Sequence, residues 1–288
     1  VPASRPDDAY DLLDSGSFRK LERFGDVILD RPCSQAVWQP AEPELWRHAT
    51  ARFTREGGNR WIGREKLPAT WSIVTEGLKF KLSSTDFGHL GIFPEQRPTW
   101  RMIRERCVKF ALRNGRPANV LNLFAYSGGS TLAAVDGGAS VCHVDASRGM
   151  VDWARENASL NGFSERPVRW IVDDVNRFIE RELKRARTYD LIILDPPSFG
   201  RGAKGEVFKI ENDLPPLLAT LCKLLSPTPD SILLSCHTPE LTPIGLGHLL
   251  TQACSGLRGK VTTGEMVLEG TAAPLVVPSG SYAHWLSN

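Results

Sequence analysis

The 288-residue chain carries 35 Lys and Arg against 33 Asp and Glu, a net charge of +2, with 41% hydrophobic and 24% charged residues. That balance excludes a disordered or fibrous chain and a uniformly polybasic nucleic-acid binder, so any nucleic-acid surface must come from local clustering. The length allows one large α/β domain with an appendage, or two domains. No apolar run reaches the ~20 residues of a membrane span, and nothing resembles a signal peptide. The six cysteines (Cys33, Cys107, Cys142, Cys222, Cys236, Cys254) form neither a CxxC pair nor a zinc spacing with histidine. No metal is therefore expected, and scattered thiols point to a reducing, cytoplasmic setting. Beginning at Val1, the chain is expected to be truncated or processed, with residues missing upstream.

Residues 1–58 read as irregular, broken by Asp30-Arg31-Pro32 and Gln39-Pro40. Lys20 to Gly25 and Val27 to Asp30 suggest a turn and a short strand. Glu42 to Thr54 suggests a helix, with Trp46, Ala49 and Phe53 on one face. Residues 59–93 are β-rich. Trp71 to Thr75 and Leu78 to Leu82 predict a hairpin around Glu76-Gly77, because Leu78, Phe80 and Leu82 alternate with Lys79 and Lys81. A helix is expected from Thr99 to Arg113. From Pro117 the texture changes: strands at 118–124, 140–145, 168–173, 189–195 and 231–236 alternate with helices at 129–135, 147–161, 175–187, 211–225 and 243–255. Two final strands, near 261–268 and 274–285, have no helix between them. The pattern predicts a Rossmann-like α/β fold whose seven-stranded sheet is parallel apart from an antiparallel pair at the edge, with insertion of the last strand as one arrangement of that pair. The expected division is a smaller β-rich region at 1–95, a candidate for substrate recognition, and a catalytic domain at 96–288.

Parallel topology brings the C-terminal ends of the strands to one rim, where ligands bind. The first such strand, Val120 to Phe124, runs into Ala125-Tyr126-Ser127-Gly128-Gly129 and then a helix, a corner suited to a nucleotide-type ligand. The second ends in Asp145-Ala146, about 20 residues beyond the glycine turn, where such folds place a carboxylate on ribose hydroxyls. Ser147, Asp152 and Asn157 on the next helix read as solvated. The third ends in Asp173-Asp174. One of the two is expected to cap the following helix and the other, with Asp174 favoured, to meet a purine amino group. The fourth ends in Asp195-Pro196-Pro197-Ser198-Phe199, where two prolines fix an extended turn and Phe199 can stack on a planar group. The fifth ends in Ser235-Cys236-His237.

The run from Asn122 to Gly129, with Asp145, Asn157-Ala-Ser-Leu-Asn161-Gly162 and Asp195 to Phe199, resembles class I S-adenosylmethionine-dependent methyltransferases. More narrowly, Gly91 to Arg97, Leu13-Asp-Ser-Gly and Lys20 to Gly25 are similar to segments of the bacterial large-subunit (23S) ribosomal RNA methyltransferase I/K group. A departure from that group is expected in the small amino-terminal RNA-binding domain that some members carry, which is not read in this sequence. The resemblance implies S-adenosylmethionine as cofactor and RNA as partner, with no membrane. The donor's methionine part would lie over Phe124 to Gly129, its ribose at Asp145-Ala146, and its adenine at Asp173-Asp174. Phe93, Gln96 and Arg97 would cover the pocket, and Asp195 to Phe199 would face the methyl group and the target base. It also makes Cys236 the candidate nucleophile for cytosine C5, because C5 becomes enamine-like only after a thiolate adds at C6. His237 could lower the thiol pKa, although neighbouring strand residues face opposite ways. Pro278-Ser279-Gly280 stands where the group tends to carry Pro-Glu-Gly, which removes a candidate base. The alternative for Cys236 is a buried small hydrophobe, and guanine N7, which needs no thiol, stays open.

Two basic runs, Arg97, Arg101, Arg104, Arg106, Lys109, Arg113, Arg116 and Arg177, Arg181, Lys184, Arg185, Arg187, are either phosphate contacts or solvated helix faces. Trp61, Trp71 and Trp100 either stack bases or pack in the interior. The expected activity is methylation of a large-subunit rRNA base, cytosine C5 favoured. The alternatives are a methyltransferase of a protein or small molecule, or a non-catalytic RNA-binding or assembly protein.

Overall fold

The structure, a computed structural model, describes residues 8–201, 205, 207–271, 273 and 275–288. The chain packs as two units. One comprises Val1–Arg97 with Val267–Ser279, the other Pro98–Met266 with Gly280–Asn288.

The first unit is far more regular than its sequence suggests. Strands β1 (Tyr10–Gly16), β2 (Arg19–Phe24), β3 (Val27–Pro32), β4 (Ala51–Thr54) and β5 (Arg60–Ile62) form one sheet in that order. The expected turn at Lys20 to Gly25 is in fact β2. The reversals fall on either side of it, at Ser17-Phe18, with φ of 49° and 63°, and at Gly25. Positive φ at both central residues is the twist-matched geometry of a two-residue hairpin. The expected helix at Glu42 to Thr54 is replaced by a 3-10 turn, Pro43–His48, and strand β4. No residue of that turn is buried, and the Trp46 Nε1–H donates to Asp14 Oδ2 at 2.8 Å. Beyond it, Ala51 and Phe53 are buried while Arg52 is exposed, a period of two that wins over the weak helical spacing. The hairpin of β6 (Trp71–Thr75) and β7 (Leu78–Leu82) forms as read, with Glu76 and Gly77 at φ of 53° and 75°. The returning segment is tied to β1 by Thr271, whose N–H and hydroxyl donate to Asp11 at 2.7 and 2.8 Å.

The second unit holds α1 (Arg97–Asn114, entering from the boundary residue), β8 (Asn119–Leu123), α2 (Gly129–Asp136), β9 (Ser140–Asp145), α3 (Arg148–Leu160), β10 (Val168–Val172), α4 (Val175–Lys184), β11 (Leu191–Leu194), β12 (Phe199–Arg201), β13 (Val207–Lys209), α5 (Ile210–Leu221), β14 (Ser231–Cys236), α6 (Pro243–Ala253), β15 (Gly259–Leu268) and β16 (Val277–Ser287). Its seven-stranded sheet has the order β10-β9-β8-β11-β14-β16-β15. The first five strands are parallel, and β16 is inserted antiparallel to β14. Strands β11 and β14 are buried at every position, which is why their sequences read as unbroken apolar runs. Strand order reverses at β8, with β9 on one side and β11 on the other, so the ligand crevice of such sheets opens at the end of β8. The β12–β13 hairpin after Pro196-Pro197 was not foreseen.

Most of the two basic runs hold the fold. Arg106 and Arg113 grip the buried Asp230 at 2.5–3.1 Å, and Arg116 clamps Asp190 at 2.7 and 2.9 Å. Arg104 pairs with Asp136, Arg181 with Asp173 and Arg185 with Glu182. Asp190 also accepts from Asn119 N–H and Ser226 Oγ, both at 2.8 Å. Burial pushes its carboxyl up, but Arg116 and these donors outweigh that and hold it below the usual carboxylate range. Trp100 is buried, and Trp61 donates to Thr85 O at 2.8 Å while its ring packs on Phe53, so packing uses account for both indoles. Among the described residues no helix is long and apolar enough to cross a membrane, and no cluster of side chains is arranged to hold a metal.

Candidate functional site

The loop after β8 is the strained part of the rim. Phe124 and Tyr126 adopt φ of 53° and 49°, a left-handed conformation that costs a non-glycine residue ~1–3 kcal/mol. Gly128 follows at φ 93° as the N-cap of α2. Asp145, at the end of β9, holds the loop in this shape. Its Oδ2 accepts the Tyr126 N–H at 2.9 Å and its Oδ1 the Ser147 N–H at 2.8 Å. Burial raises the Asp145 carboxyl above its ordinary value, moderated by those two N–H groups.

The loop is also braced from beneath. Asn157 is fully buried, and its Nδ2 donates to Ser127 O at 2.9 Å, so the expectation that it is solvated is wrong. The signal was present in the sequence, since Val151, Ala154, Asn157 and Ala158 share the buried stripe of α3. Ser147 and Asp152 are exposed as expected, and Ser147 is the N-cap of that helix. A second brace has no signal in the sequence. Asn122 Nδ2 donates to Thr131 Oγ1 at 2.9 Å, and Thr131 Oγ1 lies 2.9 Å from His143 Nδ1. Burial, with Arg155 in support, pushes His143 down to about 3, so it is neutral at physiological pH. Gly129 is required by packing: a Cβ there would lie 2.6 Å from Cζ2 of Trp100.

At the end of β10 the helix cap falls to Asp174, whose Oδ1 accepts the Arg177 N–H at 3.1 Å. Asp173 accepts the Asp174 N–H at 2.9 Å and pairs with Arg181. Phe93, Gln96 and Arg97 lie in the first unit, around the 3-10 turn Pro94–Gln96. Arg97 there donates to Asp8 Oδ2 at 3.0 Å, Pro94 O at 3.2 Å and Glu269 O at 3.3 Å, and stacks over the Tyr10 ring at 4.7 Å.

Beyond β8, the rim carries Asp195-Pro196-Pro197-Ser198-Phe199 after β11 and Cys236-His237-Thr238 after β14. These two loops are joined. Ser198 Oγ and Thr238 Oγ1 are 2.6 Å apart, and His237 Nε2 lies 3.5 Å from Asp195 Oδ2. His237 therefore faces Asp195, while the Cys236 thiol accepts the Thr238 N–H at 3.3 Å. Cys236 is fully buried. Burial raises its pKa, and the charges of Asp195 and Glu240 add to that against the opposing hydrogen bonds from Thr238. Phe199 is 51% exposed at the start of the β12–β13 hairpin, and Phe124 packs against Phe208 of that hairpin at 5.2 Å between centroids.

This rim fits a nucleoside-bearing donor. Asp145 offers carboxylate oxygens at the sheet's switch point, and a backbone loop is held rigid in a shape it would not adopt alone. Comparison with known proteins agrees. The family model described as S-adenosylmethionine-dependent methyltransferase matches residues 28–256. A Shewanella sp. (strain MR-4) protein named ribosomal RNA large subunit methyltransferase K/L is 36% identical over 214 residues, covering 71% of this chain and 27% of that protein. Its namesake from Methylococcus capsulatus is 35% identical over 176 residues, covering 60% of this chain and 23% of its own length. The chain thus spans about a quarter of the length of these relatives. A SAM-dependent methyltransferase from Agrobacterium tumefaciens superposes with a TM-score of 0.92 at 36% identity, covering 100% of this chain and 94% of that one. The structure of SMU.776 complexed with SAH shares the fold at 19% identity, with a TM-score of 0.76 over 98% of this chain and 76% of that one. The chain belongs to the S-adenosylmethionine-dependent methyltransferases, and S-adenosylmethionine is its cofactor.

Proposed function

We propose that the chain methylates a base of large-subunit ribosomal RNA, with cytosine C5 as the first reading. The observation that supports the substrate is the similarity to proteins named ribosomal RNA large subunit methyltransferase K/L, which extends over 71% of this chain. In this reading Phe124 to Gly129 and Asp145-Ala146 hold the methionine and ribose portions of the cofactor, and Asp173 or Asp174 its adenine. Of those two, Asp173 is engaged by Arg181 and Asp174 by the Arg177 N–H. The bound cofactor supplies an electrophilic methyl group on a sulfonium.

The chain's own residues do the rest. Phe199 stacks on the target base, and the prolines hold Asp195 at the rim, where its carboxylate can accept an exocyclic amino group. The Cys236 sulfur would add to C6 of the pyrimidine as a thiolate, C5 would take the methyl group as its bond to the sulfonium sulfur breaks, the C5 proton would leave to a base, and the C6–S bond would break to release the thiolate and restore the C5–C6 double bond. The Thr238 N–H on Cys236 favours the thiolate. A second reading, guanine N7, is supported by the burial and raised pKa of that thiol, because N7 attacks through its own lone pair.

The test is methyl incorporation into protein-free large-subunit rRNA with mapping of the modified nucleotide. Loss of a 5-methylcytosine signal in Cys236→Ala supports the thiol mechanism, and full activity of that variant ends it. A chain that binds SAH yet methylates no rRNA, free or in subunits, refutes the substrate assignment.

A further inference from the structure

The basic runs in the sequence are largely committed to ion pairs within the fold, so a surface for RNA must be sought elsewhere. The first unit carries one. An open groove of about 710 Å3 runs beside the β1–β2 hairpin tip, between Ser17, Phe18, Arg19, Lys20, Arg52 and Arg55. A smaller cavity of about 150 Å3, lined in part by Phe87, His89 and Phe93, shares Lys20, Pro32, Arg55 and Glu95 with it. Sharing those walls, the two adjoin and form a channel on the first unit.

Two features of this channel are unlike ordinary surface. First, Phe18 and Phe87 are 60% and 68% exposed, the most exposed phenylalanines among the described residues, and they line its two parts. Phe18 sits at the hairpin turn with a φ of 63°, and its side chain is exposed there. Single exposed aromatics are common, but two along one channel beside cations are the arrangement that stacks bases. Second, cations outnumber the acids behind them. Asp30 serves both Arg19 and Arg52, and Glu22 serves both Lys20 and Arg31. Glu22, though fully buried, stays below the usual carboxylate range because Arg31 and Lys20 outweigh the cost of its burial. Each shared acid leaves one positive charge uncompensated, and exposed Arg55 adds another. Glu56 and Glu95 also line the walls and leave the balance modestly positive.

We propose that this channel of the first unit binds a single-stranded segment of the RNA substrate, with bases against Phe18 and Phe87 and phosphates beside Lys20, Arg52 and Arg55. The inference rests on RNA being the substrate, as proposed above. Single strands are favoured over duplex because exposed rings bind unstacked bases, which a helix keeps internal.

The test measures binding of the full chain to a mixed-sequence 12-nucleotide oligoribonucleotide by fluorescence anisotropy over a salt series. Rates and KM for protein-free large-subunit rRNA are measured in parallel. The Phe18→Ala/Phe87→Ala variant is expected to bind the oligonucleotide at least ~10-fold more weakly, given what base–aromatic stacking contributes, and to raise KM for rRNA while leaving SAH affinity and Tm unchanged. Arg55→Ala is expected to lower the slope of log affinity against log salt by ~0.7. Wild-type affinity and salt slope in both variants, with rRNA methylation intact, would overturn the channel and leave the proposed function standing. Wild-type chain that binds SAH but incorporates no methyl group into rRNA would overturn the proposed function itself.

Discussion

Replacing Asp145 by alanine tests the cofactor site directly. The side chain accepts two backbone N–H groups, from Tyr126 and Ser147, and in the proposed complex at least one ribose hydroxyl as well. A hydrogen bond to a charged acceptor contributes ~1.5–3 kcal/mol, so losing the ribose contact weakens binding by ~10–150-fold. The structural loss is separable. Removing the two N–H contacts frees Tyr126 from its left-handed conformation, and relief of the buried charge offsets part of that. A net loss of about 2 kcal/mol is expected, or ~4–8 °C in Tm. Isothermal titration with SAH, well below the lowered Tm, reads the first quantity, and thermal unfolding reads the second. Asp145→Asn keeps the size and one acceptor, so it should fall between wild type and alanine in both. SAH affinity within threefold of wild type in a destabilised Asp145→Ala would mean that the carboxylate serves only the loop, and the cofactor assignment at this residue would fail.

Three more outcomes follow from the same geometry. Gly129→Ala drives a methyl group into the buried Trp100 ring, 2.6 Å from its nearest atom, and should cost ~1–3 kcal/mol of stability by denaturant unfolding. Asn157→Leu leaves Ser127 O without its buried donor and should cost ~1–3 kcal/mol, together with a measurable loss of SAH affinity because the brace lies under the loop. Asp190 has a folded pKa depressed below its unfolded value, so the stability it contributes is complete above the unfolded value of ~3.9 and is lost as pH falls through the folded pKa. The midpoint of urea unfolding should therefore fall on acidification in this window, and Asp190→Asn should lower the neutral-pH midpoint and flatten that limb.

The catalytic sheet was legible because its inner strands, buried on both faces, announce themselves as apolar runs, and β8, β9, β10, β11 and β14 fell where the sequence put them. The inserted last strand was readable too, since no helix separates β15 from β16. The first unit was legible only in part, at β3 and the β6–β7 hairpin. Its strands β1 to β3 carry Asp11, Asp14, Glu22 and Asp30 at buried positions, paired with Arg19, Lys20, Arg23 and Arg31 or capped by backbone N–H groups. Buried ion pairs erase the apolar alternation on which strand reading depends. His143 was hidden because its hydrogen-bond partner, Thr131, lies on α2, whereas Asn157 was readable from the buried stripe of α3. The basic runs misled in the opposite direction, because their acids, Asp190 and Asp230, sit at strand starts more than 70 residues away.

The choice between cytosine C5 and guanine N7 comes down to the state of one thiol. In the free protein, burial, Asp195 and Glu240 all disfavour the Cys236 thiolate, and hydrogen bonds from Thr238 alone oppose them. At neutral pH the resting group is therefore the protonated thiol. A C5 enzyme needs the thiolate in its complex. An amino group donated to Asp195 by the bound base would weaken one of the charges that oppose it, yet burial remains. The kcat of a C5 reaction should accordingly rise with pH through the alkaline ionisation of Cys236 and be abolished in Cys236→Ala. Guanine N7 presents its lone pair at neutral pH without help, so an N7 reaction should show no such alkaline rise and should survive the substitution. Single-turnover rates between pH 6 and 10, with the modified nucleotide identified at each pH, distinguish the two. An alkaline rise that persists in Cys236→Ala would belong to another group and would remove the thiol from the mechanism.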